Sequence, residues 1–308
     1  MTSKLLFGTD PEMVSVYEIE GKSFALPPYF FRKFLGINAS DDLRHPVFLQ
    51  TDAWKFHEDG AAWEMAIRPS HNSRDLFDTI QECKTAAEQR IISQFPDHCL
   101  PVLKFLPTVG FDVERWNKMG EELGEEFWEE FKMSTEFGCD PDRDAFDIQS
   151  RGFVEDASQH PYRYCGGHIH ISGSKAIAKE PILAVKCLAL SAGCAGVLYS
   201  DVSNLEKLRT YLYGKPGKFR IQNYGPNNPF GKNYSTGIEY RTLSTRWCSD
   251  WKIAEKIFEW VSIGIHNLLE GGLGLELLPD LAPIATRAII EQDKNLAQEV
   301  LSRISSKI

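Results

Sequence analysis

The chain has 308 residues, of which 43% are apolar and 25% charged, with a formal net charge of −9. That is the composition of an ordinary globular enzyme, long enough for one large core or two small ones. With 34 Lys and Arg against 43 Asp and Glu, and no basic run, it lacks the clustered cations that neutralise duplex phosphates, which argues against DNA as a partner.

The opening segment, MTSKLLFGTDPEM, has no long apolar stretch and no small-residue cleavage site, so it does not read as a signal peptide. Leu5–Tyr17 alternates like a strand, as does Ala61–Ile67. Ser73–Phe95 reads as a helix, with a Ser cap and apolar Leu76, Phe77, Ile80, Cys83, Ala87, Ile91 and Ile92 on one face. Glu121–Met133 reads as a short acidic helix carrying Leu123, Phe127, Trp128 and Phe131, and Gly167–Ser172 as a further strand. Pro181–Ser200 is the most apolar stretch. Lys186 and many small residues interrupt it, so a helix buried against a sheet fits better than a membrane span. Gly237–Ser244 alternates again. Trp251–Glu270 is an amphipathic helix stopped by Gly271-Gly272, and Ala285–Ile304 is a last helix.

No repeat, linker or shift in composition divides the chain, so residues 1–308 are expected to form a single domain. Strands and helices are interspersed without regular βαβ units, which predicts an α+β fold with a mostly antiparallel sheet. The seven cysteines are odd in number and contain no C-x-x-C pair. They read as reduced thiols of a cytoplasmic protein.

The charged residues within the strands carry the functional signal. Side chains alternate faces with a period of two. Asp10 and Glu12 therefore share a face if the segment stays extended. Glu64 and Arg68 share one opposite Trp63, Met65 and Ile67; His168, His170 and Ser172 share one opposite Ile169 and Ile171; Glu239 and Arg241 share one opposite Ile238 and Tyr240. Each pair also has a plain reading. Asp10 and Glu12 suit solvent, Glu64 and Arg68 suit an i,i+4 ion pair, and Glu239 and Arg241 suit a structural neighbour pair. Taken together, carboxylates, imidazoles and two arginines are the inventory for divalent cations and an anionic phosphate. Carboxylates converging on one site repel unless cations occupy it. The segment Lys207–Tyr224 adds Lys207, Arg209, Lys215, Lys218 and Arg220, with Gly214, Pro216 and Gly217 marking a flexible loop. Its charge suits ATP phosphates or an anionic substrate, and equally a solvated basic loop.

The ordered set GTDPE, DGAAWEMAIRP, GCDPDRDAF, GGHIHIS and GIEYRTLSTRW resembles the phage-type carboxylate–amine ligases, type 2, which are amidoligases of the glutamine synthetase and glutamate–cysteine ligase superfamily. The motifs run from residue 8 to about residue 247. The resemblance implies a curved, mostly antiparallel sheet with helices packed behind it and two or three magnesium ions on its concave face, where manganese would also fit. It implies ATP-driven phosphorylation of a carboxylate, followed by attack of an amine to form an amide or isopeptide bond. It carries metal ligation to Asp10, Glu12, Glu64, His168 and Glu239. It puts His170 near the ATP phosphates and Arg241 at the transferred phosphoryl group; by their charge the basic segment would then suit the ATP phosphates and Arg68 the phosphoryl oxygens. Asp59 or Glu58 would take the amine proton or bind the ammonium beforehand, and Cys139 or Asp140 would line the acceptor site. The first pair here is Asp-Pro-Glu where relatives often have Glu-x-Glu, which shortens the first side chain. The implied partners are small-molecule or peptide substrates rather than membrane or duplex DNA, and the implied compartment is the cytoplasm, that of the host cell if the gene is carried by a phage.

Two other functions are compatible with the same residues. A zinc-dependent metallohydrolase would use His-x-His and the carboxylates to activate water, although acidic ligands outnumber histidines. A catalytically silent binding protein would keep the fold with little metal binding.

Overall fold

The computed structural model describes residues 4–35, 45–93, 102–125, 128, 131–132, 143–147, 159–201, 203–222 and 236–308. Among these residues the chain is α+β, with one mixed sheet whose pairings are antiparallel apart from the single parallel bridge of β3 with β8.

The sheet is organised around β6 (Ala62–Ser70). On one edge it forms a hairpin with β5 (Trp54–Asp59), which in turn pairs with β4 (Val47–Gln50). On its other edge lie two strands end to end, β1 (Leu6–Thr9) and β2 (Glu12–Ile19). The single strand expected over Leu5–Tyr17 is thus broken at Asp10-Pro11. Proline has no N–H to give to a ladder, and the break lets the two halves part. β1 continues the sheet through β11 (Ile169–Ser172), β13 (Gly237–Tyr240), β12 (Lys218–Gln222) and β9 (Arg143–Asp144). β2 instead turns toward β3 (Lys22–Leu26) and β7 (Val102–Lys104), and β3 leads to β8 (Thr108–Gly110) and β10 (Tyr162–Tyr164).

Helices cover the apolar face. After α1 (Pro28–Leu35), α2 (Ser73–Ile92) packs on β5 and β6, with Leu76, Phe77, Ile80, Cys83, Ala87 and Ile91 buried. Its start is fixed by the Asn72 side chain, which accepts from the Arg74 N–H at 2.9 Å. The short α4 (Lys175–Lys179) leads into α5 (Pro181–Tyr199). α5 is long and apolar enough to cross a membrane, but 67% of it is buried inside the protein, as expected of a helix against a sheet. α6 (Ser203–Leu212) follows; α7 is Trp251–Ile263 continued by a π-helical turn over Gly264–Glu270. The last helix expected over Ala285–Ile304 is two helices, α8 (Leu273–Glu291) and α9 (Lys294–Ser305). The chain reverses at Gln292 (φ 56°), and Asp293 caps α9. Ile169, Ile171, Ile238 and Tyr240 on the sheet meet these helices in one large core.

A second core lies under β2, β3 and β8 and holds Val14, Val16, Tyr29, Val109, Phe111, Trp116 and Phe131. Its helix, α3 (Val113–Leu123), precedes most of the segment expected as a helix over Glu121–Met133, of which the described residues Glu125, Trp128, Phe131 and Lys132 are helical as expected. Asp112 caps α3, which stops where Gly124 takes φ 92°. Over its described residues, 207–222, the basic segment is the end of α6, a turn that holds Gly214, Pro216 and Gly217 where the loop was expected, and β12. The five described cysteines, Cys83, Cys165, Cys187, Cys194 and Cys248, are free and buried, and burial raises each thiol's pKa.

Candidate metal centre

Register places the polar residues in two clusters on the face away from the helices. Antiparallel partners share a face. His170 pairs with Gly8 and with Glu239, and Glu239 pairs with Arg220. Glu64 pairs with both Glu12 and His57. Asp10, at the break between β1 and β2, reaches the first cluster; Asp59, at the end of β5, reaches the second. The outcome is two groups of three donor atoms, Asp10/His170/Glu239 and Glu12/Asp59/Glu64, each with all its donors within 4.8 Å of one another.

In the first group, Asp10 Oδ1 lies 3.2 Å from His170 Nε2 and 3.2 Å from His168 Nδ1. The two histidines therefore do share a face, with Ile169 and Ile171 fully buried behind them. Glu239 is also fully buried. It accepts from the Arg241 guanidinium and from the Gln222 amide, and its Oε2 is 3.9 Å from Arg220. Burial opposes ionisation of Asp10, but His170 and His168 outweigh it and hold the carboxyl below its usual range. Burial and the Asp10 charge push Glu239 up, and Arg241 with the two imidazoles brings it below its ordinary value. For His170, burial disfavours the cation, and Asp10 overrides it, raising the pKa.

The second group is all oxygen. Glu12 Oε2 accepts from the Gly166 N–H at 2.7 Å and Oε1 from the Tyr213 hydroxyl at 3.0 Å. His57 braces Glu64, with Nδ1 2.9 Å from the Glu64 carbonyl and Nε2 3.4 Å from its carboxylate. Burial raises Glu12, with Asp59 adding to the shift. Burial raises Glu64 well above its ordinary value, and Asp59, Asp10, Glu12 and Glu239 all push in the same direction. Each of the other four carboxylates thus opposes the ionisation of Glu64. Cations relieve that repulsion. The two imidazoles stand 3.2 Å from Asp10 Oδ1, and His45 Nδ1 stands 3.4 Å from Asp59 Oδ1, so imidazole nitrogens lie against both carboxylates.

The chain matches no family model and no curated protein. What the centre can do rests on its own geometry.

The expected site residues separate into three sets. Asp10, Glu12, Glu64, Glu239 and Asp59 come together, with Asp59 beside Glu12 and Glu64. His170, not His168, joins a three-donor group; His168 is buried behind it, between Asp10, Glu239 and Tyr213. Arg241 lies directly on Glu239. Lys218 and Arg220 share a face of β12; Arg220 lies 3.9 Å from Glu239 of the first group, and Lys218 lies 3.9 Å from Asp144.

The remaining residues lie elsewhere. Arg209 is not a phosphate contact. It is fully buried on α6 and donates to the carbonyls of Thr242 (2.7 Å) and Leu243 (2.9 Å). Lys207 and Lys215 are exposed. Arg68 keeps the face of Glu64 but is exposed farther along β6 and contacts neither group. Glu58 points to the opposite face, where Arg32 Nε donates to it at 3.1 Å. Cys139 and Asp140 lie outside the described residues.

Sequence reasoning missed His57, Gln222 and Tyr213. His57 is two residues before Asp59, and Gln222 two after Arg220, so period-two reading of those strands finds both. Tyr213 follows α6 and carries no such signal.

Proposed function

We propose that the protein is an ATP- and magnesium-dependent carboxylate–amine ligase with the curved-sheet fold of the glutamine synthetase and glutamate–cysteine ligase superfamily. One observation carries the reading: two adjacent donor groups in which five of six donors are carboxylates, with the Arg241 and Arg220 guanidinium groups at the Glu239 end. Hard oxygen donors suit magnesium or manganese better than zinc, which favours Cys and His.

Glu12, Asp59 and Glu64 would hold one ion, and Asp10, His170 and Glu239 another. Such ions supply charge neutralisation between an anionic carboxylate and the γ-phosphate of ATP. Arg241, Arg220 and Lys218 would bind phosphoryl oxygens as charge spreads over them. Buried Arg241 is aimed by Glu239 and by the hydroxyl of Tyr213, its Nη2 donating at 3.1 Å. In the reaction a substrate carboxylate oxygen attacks the γ-phosphorus and ADP leaves. The amine nitrogen then attacks the acyl carbon, phosphate leaves, and the amine proton passes to a carboxylate of the acidic group or to water.

The test is a screen of acids and amines for ADP release. Sustained ADP formation that needs Mg2+, an acid and an amine is expected. Hydrolysis of an amide or phosphoester by zinc-loaded protein without ATP would overturn the reading in favour of a metallohydrolase.

A further inference from the structure

We infer that Tyr213 is a positioning residue that couples the two donor groups, so that cation affinity at both depends on its one hydroxyl. The inference rests on the metal-centre reading above. Tyr213 Oη lies 3.0 Å from Glu12 Oε1, a donor of the second group, and 2.9 Å from His168 Nε2. His168 Nδ1 in turn lies 3.2 Å from Asp10 and 3.4 Å from Glu239, two donors of the first group. The oxygen also accepts from Arg241 Nη2 at 3.1 Å. One hydroxyl therefore touches a donor of one group, the imidazole that orients two donors of the other, and the guanidinium beside them.

The hydroxyl is held in place from below. Tyr213 follows Arg209 by one helical turn, with its N–H donating to the Arg209 carbonyl at 2.7 Å. The Arg209 guanidinium lies 4.9 Å from the Tyr213 ring centroid while it grips the loop after β13. The same buried cation thus fixes the phenol and the strand end that bears Arg241. Two glycines make room. A Cβ on Gly214 (φ +72°) would fall 2.1 Å from Arg209 Nη1, and one on Gly166 would fall 2.1 Å from His168 Nε2. Partners behind metal ligands fix ligand orientation, and losing one costs about 10–100-fold in metal affinity. A group that braces both clusters spreads that cost over both.

The experiment is Mn2+ binding, followed by electron paramagnetic resonance of free Mn2+ and by calorimetry, on wild type, Tyr213→Phe and Gln222→Leu. Phe keeps the ring and removes only the oxygen; Gln222 donates to Glu239, a donor of the first group. Tyr213→Phe is expected to weaken both binding steps by about 10-fold or more, with the melting temperature of the metal-free protein little changed. Gln222→Leu is expected to weaken one step. Unchanged Mn2+ affinities in Tyr213→Phe, or a loss confined to one step, would overturn the coupling role. Wild type that binds two Mn2+ but never ATP would sink the ligase reading and leave this assignment standing; wild type that binds no Mn2+ would remove both.

Discussion

Glu239→Gln is expected to lower Mn2+ and Mg2+ affinity at the first donor group by about 100-fold or more, since changes to mere outer partners already cost about 10–100-fold. Glu239 is fully buried between Asp10, two imidazoles and Arg241. Two effects on stability oppose each other in this variant. Removing the charge leaves Arg241 without its ion-pair partner, and breaking a buried pair costs about 3–5 kcal/mol when nothing replaces it. Gln retains a carbonyl oxygen for Arg241 to donate to, and the change also relieves repulsion on Asp10 and Glu64. The folded protein is therefore expected to persist, with the loss falling on cation binding. Calorimetric titration beside a thermal melt checks this; intact Mn2+ affinity would remove Glu239 from the centre.

The metal-free protein is expected to lose stability as pH rises above the ordinary Glu value of 4.5, and divalent cations are expected to restore it. The sign follows from linkage. Glu64 and Glu12 have folded pKa values above their unfolded ones, so their contribution is complete below the unfolded value and is lost as pH climbs through the folded one. His170 is raised as well and acts in the same sense over the window that starts at its ordinary value of 6.5. Asp10 and Glu239 are lowered and act oppositely, but their window lies on the acid side of their ordinary values, 3.8 and 4.5. Cations bind the ionised carboxylates of the folded chain. They add about 2.7 kcal/mol at 100 times Kd, and more as proton competition fades. Thermal melts across pH 5–8, with and without Mg2+, read this directly. A melting temperature that rises with pH in the metal-free protein would contradict it.

Much of the centre was legible in the sequence because strand side chains repeat every two residues. The shared face of His168 and His170, the opposition of Glu239 to Tyr240, and the paired Glu64 and Arg68 all follow from that period. What it could not give is position along a strand. Arg68 has the right face and lies too far along β6. Pro11 shows the limit from the other side. Asp10 and Glu12 look like a same-face pair, yet the break between them sends each to a different donor group. Arg209 was misread for a different reason. Its charge suggested phosphate, but it is buried against the segment after β13, and its partners are the carbonyls of Arg241, Thr242 and Leu243, some thirty residues away. Contacts across that distance, like those of Tyr213 with Glu12 and His168, leave no local pattern to read.

The most direct test of the account is calorimetric titration of the metal-stripped protein with ATP, in Mg2+, in Zn2+ and with neither. The account predicts ATP binding that requires Mg2+ and vanishes in Glu12→Gln/Glu239→Gln. Tight Zn2+ binding with no ATP binding in any condition would contradict it.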